Sequence, residues 1–234
     1  MTFTQHPGAL ARIAGAFYLI IFACAVFAYM YVRGQVIFPQ DMARTATNLV
    51  AHEHLYRWGF SAAVVVVISN LPMGVFLFEL LKVVNPRLAL LALVSITIST
   101  TIEAVNLFNY IQPLFVVTLP EYARAFNPAE LQALARGPIR LFGYTFSVSL
   151  TFFGVFCTLT GYLIYRSKFL PRIIGALMMA AGVCYWIDSF VLFLALPEVP
   201  YLLRFTFVSE LSLALWLALA GVNEEKWRQQ AAGA

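Results

Sequence analysis

Glu103, Asp188 and Glu210 each stand inside an apolar stretch long enough to cross a bilayer, with no Lys, Arg or His beside them at that depth. An ionised carboxylate near the bilayer centre costs roughly 2.5–3.5 kcal/mol. Three left unpaired would cost about 8–10 kcal/mol, comparable to the ~5–15 kcal/mol that holds a whole domain together. Such groups must be protonated, hydrogen-bonded to one another inside a bundle, or turned toward water. Ser99, Glu103, Asn106 and Tyr110 recur at i, i+4, i+7 and i+11, which places them on one helix face. Asp188 lies at a depth similar to Glu103, and Glu210 lies a few residues in from the end of its own segment. The three acids are expected to converge in one half of the bundle, with Ser69 and Asn70 nearby. The chemistry that suits them is a proton-responsive pocket for a small cationic or polar ligand. The competing reading is a polar network that fixes helix pairing. Interhelical hydrogen bonds average only ~0.6 kcal/mol, a small return for placing carboxyls in hydrocarbon.

The elements that position these residues follow from composition. Of 234 residues, 62% are hydrophobic and 11% charged, against about 25% charged in soluble domains. About 20 apolar residues cross ~30 Å of hydrocarbon. Six segments approach or meet that length: about 13–32, 58–81, 88–112, 141–165, 173–196 and 205–222. The spacing predicts an all-α membrane protein of six transmembrane helices in one polytopic domain. Backbone groups in lipid must pair internally, and no alternating pattern favours a barrel.

The chain also resembles itself. A shift of 85 residues puts Pro86-Arg87 on Pro171-Arg172 and Glu103 on Asp188. Arg12-Ile13-Ala14-Gly15-Ala16 opens the first segment in a similar way, although Ala28 stands where the acid would fall. Three parallel two-helix repeats are the expectation. Two connections are long enough for short amphipathic helices on the outer face, one over Asp41 to Leu55 and one from Asn127 to about Arg136. Pro39 to Arg44, Pro120 to Arg124, and Pro197-Glu198 with Arg204 each combine proline, acid and arginine, which reads as helix-start chemistry.

Lys82 and Arg87, and Arg166, Lys168 and Arg172, fall in two short loops without acids. The positive-inside rule makes those loops and both termini cytoplasmic. The net charge of +4 calls for anionic membrane lipids as partners, not nucleic acid. Cys24, Cys157 and Cys184 lie within spans and read as small hydrophobes. His52-Glu53-His54 invites a metal reading, but residues two apart on a helix point away from each other; neither a metal nor a cofactor is expected. Phosphate-loop, nucleophile-elbow and zincin patterns do not occur, which argues against an enzyme. Two rivals to a ligand-binding or transport protein stand beside it: an accessory subunit of a membrane-protein complex, and an intramembrane lipid-handling enzyme.

Ala11-Arg12-Ile13-Ala14-Gly15, Gly161-Tyr162-Leu163-Ile164-Tyr165-Arg166-Ser167, Pro171-Arg172-Ile173-Ile174-Gly175, Ile187-Asp188-Ser189-Phe190, and Ser209-Glu210-Leu211-Ser212-Leu213-Ala214-Leu215-Trp216 are similar to a bacterial membrane family, domain of unknown function 4386. The resemblance covers nearly the whole chain. It implies a six-helix inner-membrane protein with Asp188 and Glu210 as family features, and it implies no activity. The family often carries an acid in its second span, where this chain has Asn70.

Overall fold

The computed structural model describes residues 6–197 and 202–233, with backbone alone at 203 and 204. Among these residues the chain is helical throughout, without strands. Helix α1 spans Pro7–Val36 and is π-helical over Val26–Val32. A surface helix α2, Met42–Ala51, precedes α3, Glu53–Leu81. Then follow α4, Pro86–Thr118, a short α5, Pro120–Ala125, and α6, Pro128–Arg166. Helix α7 is Arg172–Phe193. Helix α8 is Leu202–Leu215, prolonged by a π-helical stretch Trp216–Ala220, and α9 is Glu224–Ala232. Helices α1, α3, α4, α6 and α7 are each long and apolar enough to cross a membrane, and α8 joined to α9 is a sixth candidate, broken by a 100° bend. This is an all-α multi-pass membrane architecture.

Side-chain caps set where several helices start. Asn85 accepts from Arg87 N and Leu88 N at 3.1 and 3.0 Å ahead of Pro86. Asn127 and Glu130 form a reciprocal capping box at 3.0 and 2.8 Å ahead of α6. Asp41 and Asn223 cap α2 and α9 in the same manner. The repeated Pro-Arg pairs both stand at helix starts, offset by one position: Pro86 is the first residue of α4, and Pro171 caps α7.

Two expectations change. The helix expected from Asn127 to Arg136 is not separate from the span that follows; α6 runs unbroken for 39 residues through Pro138. Pro138 removes one i→i−4 hydrogen bond without ending the helix, as Pro72 does in α3 and Pro113 in α4. At ~1.5 Å per residue, α6 is about 58 Å long, and its first turns stand beyond any hydrocarbon layer. The helix expected over Asp41 to Leu55 is divided at His52 (φ −116, ψ 30), which closes α2 and starts α3. Glu198 lies outside the described residues.

The membrane helices contact one another in chain order. Helix α1 packs on α3, α3 on α4, α4 on α6, α6 on α7 and α7 on α8, while the π-helical end of α8 returns to α1. The ring has a lower core around Tyr18, Met73, Phe156, Met178 and Leu217, and an upper one around Val32, Tyr56, Tyr110 and Phe142. Its outer surface is apolar: Ile68, Val105, Phe108, Ile173 and Leu219 are all exposed, as a lipid-facing surface requires.

His6, Arg12 and Glu224 line one cleft, so both ends of the described chain meet on one face, here termed the terminal face. Helix α9 lies across it. The Trp227 indole is buried and donates to Leu80 O at 2.9 Å. Leu80 is in the last turn of α3, where carbonyls lack an intrahelical donor, so the indole caps α3 from another element. Trp227→Phe should cost about 1–2 kcal/mol, read as faster proteolysis of the C-terminal helix with the membrane bundle intact.

A tyrosine-capped acidic site

Glu103 is buried on α4, 8% exposed, and accepts a hydrogen bond of 2.7 Å from Tyr29 Oη. Tyr29 belongs to the π-helical stretch of α1. A π-helical turn is a costly distortion that recurs at functional sites, and here it carries the residue that reaches the carboxylate. The Tyr29 ring packs at 5.3 Å from Phe146 and 5.9 Å from Phe142, both on α6. One carboxyl thus ties α1, α4 and α6 together.

Asn106 and Tyr110 continue the same buried face of α4. Asn106 donates to Phe142 O at 3.0 Å and accepts from Asn109 Nδ2 at 3.1 Å. Tyr110 ring-packs on Tyr56 at 4.8 Å, and Tyr56 Oη donates to Tyr110 O at 2.6 Å. Arg33, one turn beyond Tyr29 on α1, lays its guanidinium over the Phe142 ring at 3.7 Å and over Tyr110 at 5.4 Å. Its Nη1 is buried with no hydrogen-bond partner among the described residues. The upper half of the bundle therefore holds a carboxyl, a guanidinium and two amides within one aromatic wall.

Glu210 belongs to a different cluster. It accepts from Tyr18 Oη at 3.1 Å and from Tyr185 Oη in a shorter contact. Tyr18 and Tyr29 are eleven residues apart on α1, about 16 Å along the axis. Asp188 is half-buried on α7, one turn beyond Tyr185. Ser189 Oγ donates to Ser147 O at 3.1 Å and Trp186 Nε1 to Thr151 O at 3.0 Å, fastening α7 to α6 there. Asn70 and Ser69 are buried on α3. The structure thus groups Glu103, Asn106 and Tyr110 around α4, and Glu210 with Tyr18 and Tyr185, as two polar centres.

Sequence reasoning did not single out Tyr18, Tyr29, Tyr185 or Arg33. A signal existed: a tyrosine hydroxyl buried in an apolar helix needs a partner, and Tyr18 and Tyr29 share a face at i and i+11. Arg33 reads as a loop residue only if the first span ends at Val32; four further helical residues bring it into the bundle. His52 occupies the turn between α2 and α3, and Glu53 is engaged by Arg57 at 2.8 Å.

The fold and these buried carboxyls define a polytopic α-helical membrane protein with intramembrane acid sites. Residues 13–221 match the model of the domain of unknown function 4386, and the chain belongs to that family. A stretch of 71 residues, 30% of this chain, is 35% identical to an uncharacterised protein of Archaeoglobus fulgidus and covers 42% of that protein's length. No solved structure matches the chain.

Proposed function

We propose that the protein binds a small cationic or polar ligand at the Glu103 centre, with proton exchange at that carboxyl, and acts in transport or sensing of the ligand in a bacterial inner membrane. The observation that carries this reading is hydrogen-bonding and cation-holding capacity buried in one place. Glu103 is held by a donor on a π-helical turn, and Arg33 Nη1 is a buried donor without an acceptor. The Arg33 guanidinium lies over Phe142, a cation–π contact worth ~2 kcal/mol when desolvated, and its open Nη1 offers a donor to the polar group of a ligand. A network serving only to pair helices would not favour a buried guanidinium nitrogen left open. The orientation that goes with this reading puts the terminal face in the cytoplasm, since Lys82, Arg87, Arg166, Lys168 and Arg172 flank its short loops.

Infrared titration of the purified protein in lipid tests the proposal. A carboxyl band should titrate between about pH 4 and 9, vanish in Glu103→Gln, and shift when tetraethylammonium is added. Carboxyl bands that stay silent over that range, and are indifferent to the cation, would make Glu103 a sealed structural group and end the ligand-binding reading.

A further inference from the structure

The bend after α8 shapes the terminal face. Gly221 has φ 69, a backbone region that glycine enters without penalty, and it sends α9 off at 100° to α8. On one side of this bend is a cleft of about 390 Å³ whose lining includes Lys168, Pro171, Trp216, Asn223 and Lys226. On the other side a second cleft, of about 480 Å³, has Arg12 in its wall. Ala220, Gly221 and Val222 border both. Helix α9 cannot swing away freely, because Trp227 is tied to Leu80 and Gln230 Oε1 accepts from Lys168 N at 3.1 Å. The cleft is a fixed feature of the fold.

Its two lysines form no ion pair among the described residues, and Glu225 beside Lys226 accepts instead from Gln229 at 3.3 Å. The ion pairs among the described residues are Glu53–Arg57, Glu79–Lys82 and Glu224–Arg228. The carboxylate nearest the bend, Glu224, is thus engaged by Arg228, and neither lysine of the cleft has a carboxylate in ion-pair contact. Lys168 and Lys226 are both exposed at the mouth of this cleft, where an anion would gain from both charges at once. The cleft also leads into the apolar belt: Trp216 is 41% and Leu219 76% exposed on the outward side of α8. A site with two cations at the membrane boundary and bare aromatic and aliphatic surface above it fits an amphiphile whose head is anionic. We infer that the Lys168–Lys226 cleft binds the phosphate headgroup of an anionic phospholipid, with an acyl chain lying along Trp216 and Leu219. Tryptophan at the interface and basic pockets between helix ends are the elements that such recognition uses. The inference stands apart from the Glu103 reading, in the other half of the bundle.

The test is native mass spectrometry of protein released from vesicles of equal phosphatidylglycerol and phosphatidylcholine. Retained phosphatidylglycerol should exceed phosphatidylcholine by about tenfold or more. Each lysine is worth about a fivefold change, so Lys168→Gln with Lys226→Gln should lower retention about 25-fold, and the paired Arg variants should restore it. Lys82→Gln, which removes a paired charge from the same face, should leave retention unchanged. Equal retention of the two lipids, or an unchanged paired Gln variant, would overturn the site. An equal loss in Lys82→Gln would overturn it in favour of diffuse charge. Thermal protection by inorganic phosphate in pure phosphatidylcholine, matching that by phosphatidylglycerol, would overturn the lipid assignment in favour of a free-anion site.

Discussion

Gly161→Leu is expected to cost about 3 kcal/mol, enough to shift the protein from folded to largely misassembled in mild detergent. A Cβ at Gly161 would stand 2.6 Å from both Gly175 O and Met179 N, and one at Gly175 would stand 2.6 Å from Gly161 O and Tyr165 N. These obstacles are backbone atoms of α6 and α7, so no rotamer change relieves them and the helices must separate. Separation would break the two bonds that fasten α7 above this point, Trp186 to Thr151 and Ser189 to Ser147. Close approach through small residues is the main source of helix association in lipid, where no hydrophobic drive exists between helices. Gly143→Leu on the same α6 is the control, since nothing lies within 4 Å of its added Cβ, and its better helix propensity should make it neutral or stabilising by a few tenths of a kcal/mol. Unfolding in graded SDS, followed by tryptophan fluorescence, separates them. Equal midpoints for the two variants would refute close glycine packing at this crossing.

What the sequence made legible was set by strong local physics. Hydropathy over windows of about 20 residues identified the six apolar segments, and Asn127, Pro128 and Glu130 marked a helix start that forms as a capping box. The face carrying Ser99, Glu103, Asn106 and Tyr110 was readable from its spacing, because helical periodicity alone makes those residues neighbours, and all four are buried. On α6, Gly154 and Gly161 meet α7 at Gly182 and Gly175, small residues at helical spacing that let the two backbones approach. Less legible was which carboxyl meets which donor. That depends on the order of helices around the ring and on their relative heights, neither of which appears in any local window. Three acids in apolar sequence suggested one shared pocket, whereas the tyrosines of α1 place Glu103 and Glu210 in separate hydrogen-bonded clusters. The continuation of α6 through Pro138, like that of α3 through Pro72 and α4 through Pro113, rests on neighbouring helices that tolerate the freed backbone group, which outweighs the usual boundary signal.

Removing both donors to Glu210 is the second large effect expected. Tyr18 on α1 and Tyr185 on α7 reach the same carboxyl from opposite sides, so Glu210 joins helices that are far apart in sequence. An average interhelical hydrogen bond is worth ~0.6 kcal/mol in lipid. Bonds to an ionisable acceptor that is otherwise starved of partners are stronger, and leaving the acceptor bare adds its desolvation cost. Tyr185→Phe alone should therefore cost about 1–2 kcal/mol, and Tyr18→Phe with Tyr185→Phe about 2–4 kcal/mol. The decisive quantity is the coupling to the acid. If the hydroxyls matter because they satisfy Glu210, then Glu210→Gln, costly in the native protein, should cost little once both tyrosines are phenylalanine, with a coupling energy of about 1–3 kcal/mol. Strict additivity would mean that the tyrosines contribute only packing, and Glu210 would lose its place as the lock between α1, α7 and α8. Tyr29→Phe, which removes one donor from Glu103, should be milder in stability. Its larger effect should fall on the infrared carboxyl band, because that hydroxyl is held by a π-helical turn rather than by two converging helices. If the coupling at Glu210 is large and the band shift at Glu103 is seen without a comparable stability loss, the two acids divide the work of assembly and exchange; equal stability costs at both would mean that both serve assembly alone.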